Sequence, residues 1–197
     1  MDLEPAHVSA EIRRASVALA ACGLVYALYR AYYGFGGTVG MIGTPASPSS
    51  WRATNLGGAA VLLLIALLPP AALPLWRRPR WRRALLVVAW LLAVGGVMHA
   101  LIMDAQRVAS LAGWHSIRYP AAQWLSHDSR AADLQDLFFN ETWFLAEGIL
   151  WGVLAWTVLG SSRHRRRWVA TAGAGIAAAT CAGLLSAFGV IGRFVVH

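Results

Sequence analysis

The chain has 197 residues, 58% of them apolar and only 13% charged, against about a quarter charged in ordinary globular domains. Its net charge is +8, and all 17 basic residues are arginine. This excludes a disordered chain and a disulfide scaffold. It also excludes a nucleic-acid binder, because the arginines flank apolar runs instead of forming one docking face.

Five apolar segments follow in chain order, at residues 15–35, 56–76, 84–103, 137–159 and 169–191. A helix needs about 20 apolar residues to cross the hydrocarbon of a bilayer. Backbone groups in lipid must be paired, and no ten-residue alternation points to a barrel, so each segment is expected to be helical. The expected fold is all-α: a polytopic transmembrane helical bundle with five predicted spans, a four-helix core plus a C-terminal fifth. Residues 1–197 then form a single integral membrane domain.

The first segment carries Arg30 and the sequence Leu19-Ala20-Ala21-Cys22. That run has the pattern of a lipoprotein processing site, but apolar sequence continues past the cysteine. Cys22 is therefore read as a small residue packed inside span one. The second segment contains Pro69, Pro70 and Pro74, which predict a kink or an end near Leu68. Between these two segments, a glycine-dense stretch from Gly34 to Gly43 leads into residues 43–55, read as an irregular turn. Residues 104–136 form a long loop with Pro120 in its middle, expected to be an ordered exofacial cap with a short interfacial helix near residues 108–114. Span four carries Gly148 and Gly152, and span five is built largely of Ala and Gly, so both suit close helix packing.

Orientation follows from arginine. The N-terminus holds Arg13 and Arg14, and the connections after spans two and four hold nine more, including Arg77, Arg82, Arg163 and Arg167. The opposite side carries Arg52, Arg107, Arg118, Arg130 and Arg193. The positive-inside rule then predicts a multi-pass cell-membrane protein with a cytoplasmic N-terminus and an extracytoplasmic C-terminus.

The nine acids divide unevenly. Asp2, Glu4 and Glu11 precede span one, and the rest lie between Asp104 and Glu147. At about 100° per residue, Asp133, Asp136, Asn140, Glu147 and Trp151 share one helical stripe, which runs from the surface toward the bilayer centre. An acid as deep as Glu147 costs several kcal/mol unless it is paired or protonated, so it is a candidate proton donor or ligand-binding group. On span one, Tyr26, Tyr29, Arg30 and Tyr33 share a face, and Arg30 is expected to offset Glu147, Glu141 or an anionic ligand group. Trp143 and Trp151 supply aromatic surface on span four. His99 lies about a turn below the end of span three and is read first as a packing residue, with catalysis as the alternative.

No metal site or cofactor is expected. His115, His127, Asp128, Asp133 and Asp136 lack a tight ligand spacing. Asp133-Leu-Gln-Asp136 has a spacing that can hold magnesium, but reads more simply as solvated acids at a helix N-terminus.

The stretch Tyr26-Ala-Leu-Tyr-Arg-Ala-Tyr-Tyr-Gly-Phe-Gly-Gly-Thr-Val-Gly40, together with Asp136-Leu-Phe-Phe-Asn-Glu-Thr-Trp-Phe-Leu-Ala-Glu-Gly148, resembles a family of small, uncharacterised bacterial integral membrane proteins. The resemblance covers about residues 15–160 and implies a four-helix bundle, here with a fifth helix added. It carries over no catalytic residues, and the long loop between spans three and four departs from it.

Two functions compete. The first is an outward-opening polar pocket of Arg30, Asn140 and Glu147, with Tyr26, Tyr29, Tyr33, Trp143, Trp151 and Asp136 around it, binding a membrane lipid or hydrophobic small molecule. The second is a membrane-embedded enzyme with Glu147 or Glu141 as general acid on an isoprenoid or lipid, as in terpene cyclases, and with His99 as a further catalytic candidate. Proton movement ranks third, because no acid or histidine continues the stripe through the other half of the bundle. The sequence leaves room for a homo-oligomer or a membrane partner protein.

Overall fold

The computed structural model describes residues 10–117, 119 and 122–192; Asp2, Glu4, Arg118, Pro120 and Arg193 lie outside the described residues. In chain order the elements are α1 (Ala10–Gly34), β1 (Gly43–Pro45), α2 (Pro48–Ala71), a 3-10 turn (Leu75–Arg77), α3 (Pro79–Leu111), β2 (Trp124–His127), α4 (Ser129–Gln135), a π turn (Asp136–Asn140), α5 (Glu141–Val158) and α6 (Ser162–Ala187). Among the described residues the elements are all helical apart from the two short strands. Four helices, α1, α2, α3 and α6, are long and apolar enough to cross a membrane, which suggests a membrane protein. The fourth expected span, 137–159, corresponds to α5, whose 18 residues include Glu141 and Glu147, and it does not reach that apolarity.

Local chemistry explains the helix starts. Ser47 caps α2 by accepting from the Ser50 N–H at 3.3 Å, and Pro48 supplies a first residue that needs no N–H. Pro79 does the same for α3, while Asp128 and Ser161 cap α4 and α6 through the N–H groups of Ala131 and His164. The prolines at 69 and 70 fall in the last turn of α2, which ends at Ala71, three residues past Leu68. Within the expected irregular turn, residues 43–45 form a strand and residues 48–55 already belong to α2.

The largest departure is α3. It runs to Leu111, so the first eight residues of the expected loop are helical and no separate interfacial helix forms. At 1.5 Å per residue its 33 residues span about 50 Å, well beyond the ~30 Å of bilayer hydrocarbon. Asp104, Gln106 and Arg107 look like the end of a span by polarity. Gln106 and Arg107 are nonetheless buried against protein.

The helices pack in a row: α2 on α1, α1 on α5, α5 on α3 and α3 on α6. Backbones approach closely at two of these contacts. A Cβ on Gly148 of α5 would lie 2.8 Å from the Val97 N of α3, and one on Gly23 of α1 would lie 2.7 Å from the Ala66 Cβ of α2. The second glycine singled out by sequence, Gly152, makes only ordinary contact with Trp168 at 3.7 Å. Although α2 and α3 are joined by a short connection, they hardly touch, and a cleft runs between them with α5 behind it.

The main core sits at the arginine-rich end. Ile12 and Leu19 of α1, Trp76, Leu85 and Ala89 around the α3 start, and Trp151, Leu154 and Val158 of α5 form one buried cluster. Buried Arg82 donates to the Val158 carbonyl, which closes the C-terminus of α5. At the other end β1 and β2 pair antiparallel, Gly43 opposite His127 and Thr44 opposite Ser126, with a register shift before Pro45.

The glycine contacts make a testable difference. Gly148→Ala should lower stability by about 1–3 kcal/mol, the usual cost of overpacking, because the obstacle is backbone. Gly152→Ala should leave the melting temperature in detergent nearly unchanged.

Candidate functional site

At the arginine-poor end, the α2–α3 cleft opens into a cavity of about 430 Å³. That volume lies within the roughly 300–1,000 Å³ typical of small-molecule sites. Tyr29, Arg30 and Tyr33 reach it from α1, and Ser47, Ser50, Trp51 and Thr54 from the first turns of α2. Met103 and Arg107 come from α3, and Gln135, Asp136 and Asn140 from the α4–α5 junction. Trp124 of β2 also lines it and packs on Trp51, with ring centroids 5.0 Å apart.

Arg107 organises one wall. It is 6% exposed and donates to Asp133 Oδ1 at 3.1 Å and to the Tyr119 hydroxyl at 2.9 Å, while its second Nη pairs with Asp136. Asp133, 2% exposed, also accepts from Ser110 at 2.6 Å and from Tyr119 at 3.2 Å. The i, i+3 acids expected as solvated groups thus grip one buried guanidinium, as their shared helix face permits. Burial pushes the Tyr119 phenol well above its ordinary value near 10, outweighing the nearby Arg107 charge. Tyr119 therefore stays a neutral donor to Asp133.

Asp136 also accepts from the Asn140 amide, whose oxygen accepts from the Tyr26 hydroxyl at 3.0 Å. Tyr26 stacks on Trp143 with centroids 4.2 Å apart and planes 13° from parallel. Trp143 donates to the Cys22 carbonyl at 2.9 Å. These two rings are packed against each other and serve as the floor beneath Asn140. Tyr29 accepts from Gln135 at 3.0 Å and meets Tyr33 edge-on at 5.0 Å.

Arg30 is different. Its guanidinium lies over Gly58 of α2, where a Cβ would come within 3.4 Å of Nε. Among the described residues, no carboxylate stands within 4 Å of it. The pairing expected with Glu147 or Glu141 is not formed.

Below this cavity the same cleft holds a second one of about 190 Å³, lined mainly by Leu62, Ile65, Leu91, Leu92 and Gly95, with His99, Glu147 and Trp151 on its walls. Glu141 is buried between α5 and α3, its Oε2 3.5 Å from His99 Nε2, and His99 packs on Phe144 at 4.5 Å. The structure therefore brings Arg30, Tyr29, Tyr33, Asp136 and Asn140 together and places Glu147, Trp151 and His99 in the second cavity. Tyr26, Trp143 and Glu141 border these spaces without lining either. Sequence reasoning missed Arg107, Tyr119, Gln135, Trp51 and Trp124 as site residues. Only the Asp133/Asp136 spacing signalled that a cation was to be found nearby. Among the described residues, no group of three or more His, Cys, Asp or Glu side chains is placed to hold a metal ion.

Comparison with known proteins returns nothing: no family model, no curated protein and no solved structure matches this chain.

Removing one partner of a buried ion cluster typically costs about 3–5 kcal/mol, and Arg107→Gln should destabilise the protein by that order in detergent melts. Reversing much of that loss with Asp133→Asn in the same chain would identify the stranded carboxylate as its cause. An unchanged melt for Arg107→Gln would show that the cluster is not holding this end together.

Proposed function

We propose that this is a multi-pass cell-membrane protein whose pocket binds a lipid or hydrophobic small molecule from the extracytoplasmic side. Five crossings, with α5 as the fourth, place the N-terminus in the cytoplasm and the C-terminus outside. Eleven arginines then face the cytoplasm, as the positive-inside rule requires. The buried position of α5 in the row explains how a helix with two acids is accommodated, since intramembrane carboxyls face the bundle interior.

The observation that carries this reading is the 430 Å³ cavity with Arg30 on its wall and no counter-ion at hand. An uncompensated guanidinium beside Tyr, Trp, Ser and Thr side chains suits a ligand that is part apolar and part polar. A defined lipid should co-purify with the protein in about one-to-one ratio by mass spectrometry of apolar extracts and be lost on Arg30→Ala. Extracts empty of any stoichiometric molecule, from a well-folded sample, would count against binding.

A second reading rests on Glu147, Glu141 and His99, which gather around the smaller, apolar cavity. A carboxylic acid there can protonate an alkene or epoxide, and the Trp151 ring, also on its wall, can stabilise a cation. Cells given isoprenoid substrates should then form a product of unchanged mass and new retention time, absent with Glu141→Gln, Glu147→Gln. Turnover retained in that double variant would eliminate this chemistry. Binding ranks first, because Tyr26 and Trp143, two rings that could shield a cation, are stacked on each other and do not line that cavity.

A further inference from the structure

The two cavities lie one after the other along the same helices. Both are lined, in the same order, by α2, by α3 and by the continuous run of the π turn and α5. On α2, Ser47, Ser50 and Thr54 line the larger cavity and Leu62 and Ile65 the smaller. On α3, Arg107 and Met103 give way to His99 and Gly95, and along the α5 strip Asp136 and Asn140 give way to Phe144 and Glu147. From Met103 to His99, and from Asn140 to Phe144, is four residues, or about 6 Å of helix. By contrast α1 contributes to the larger cavity alone.

The α2 face gives the order of chemistry. Ser47, Trp51, Thr54, Gly58, Leu62 and Ile65 follow one another at intervals of three and four, so they form a single stripe. It begins with hydroxyls at the helix N-terminus, where anions are favoured. It passes Gly58, over which Arg30 lies, and ends in leucine and isoleucine. Arg30 therefore stands at the junction of the polar and apolar stretches.

Charge selects the headgroup. Asp133 and Asp136, the carboxylates of the polar wall, are both engaged by Arg107, and Asp136 also by Asn140. On the polar wall no spare acid is left among the described residues for a cationic headgroup, whereas Arg30 lacks a counter-ion. The mainly apolar lining of the smaller stretch, with Leu62, Ile65, Leu91 and Leu92, suits a hydrocarbon tail. Gly95 keeps that stretch open, because a Cβ there would meet nothing within 4 Å.

We infer that the ligand of the proposed binding function is an amphiphile with an anionic headgroup, a carboxylate or phosphate, held by Arg30 with its tail along the α2–α3 groove. The inference rests on the ligand-binding reading and adds the class of ligand.

The test titrates delipidated protein in amphipol by native mass spectrometry. The probes are hexadecanoate, hexadecyl phosphate, hexadecanol, hexadecyltrimethylammonium, acetate and inorganic phosphate. One anionic amphiphile should bind per chain, about tenfold or more tighter than hexadecanol, as charge-assisted hydrogen bonds imply. Arg30→Gln should erase that preference without weakening hexadecanol. Shortening the carboxylate from hexadecanoate to butyrate should weaken binding stepwise in the unaltered protein, and Gly95→Leu, which fills open space, should flatten that dependence.

Equal binding of all the hexadecyl probes, indifferent to Arg30→Gln, would overturn the headgroup assignment while leaving lipid binding standing. Acetate or inorganic phosphate binding as well as the long-chain anions would overturn the tail assignment. Failure of every probe, with nothing co-purifying, would remove the binding function itself.

Discussion

The arrangement at the arginine-poor end depends on one buried guanidinium. Arg107 is held by two carboxylates and a phenol, and a charge with so little access to water is tolerable only when paired in this way. Its partners come from two pieces of chain: Asp133 and Asp136 from the continuous run of α4 and the π turn, and Tyr119 from the connection after α3. The pairings bind these pieces to the end of α3. Asp136 then passes the constraint on through Asn140 to Tyr26 of α1. One wall of the cavity is thus a continuous hydrogen-bonded line from α3 to α1.

A second constraint is the distance between helices. Glycine at positions 148 and 23 lets α5 meet α3, and α1 meet α2, at backbone contact. Helices drawn together in those pairs form a row, and the row leaves α2 and α3 apart. The cleft is the consequence. Its character changes along its length because the first turns of α2 carry Ser and Thr and its middle carries Leu and Ile. The two-stranded pairing of residues 43–45 with 124–127 brings Trp124 to the cavity wall, against Trp51.

Part of the site was legible before any fold was known. Tyr29, Arg30 and Tyr33 fall on one face by helical spacing alone, and all three line the cavity. Asp136 and Asn140, four apart, were grouped with Glu147 by the same rule. They do share the cleft side of their helix with it. But Asn140 and Glu147 are seven residues apart, about 10 Å along the axis, and that separation puts them in different cavities. Arg107 was not legible as a site residue because it lies at the polar end of an apolar run, where arginine is ordinarily solvated. Its burial comes from chain that returns more than 20 residues later. Polarity also misplaced the end of α3: a helix leaving the bilayer continues when its polar side chains find protein partners.

The sequence by itself determined the helical class, the membrane-like composition and the polar face of α1. These depend on composition and on spacing within one segment, and such information is local. Only the tertiary structure decided that α2 and α3 stand apart, that Asp133 and Asp136 are used up by Arg107, and that Arg30 is left over. Those outcomes turn on which helix packs on which. Glycine contacts and long-range hydrogen bonds settle that choice, and neither leaves a periodic trace in the sequence.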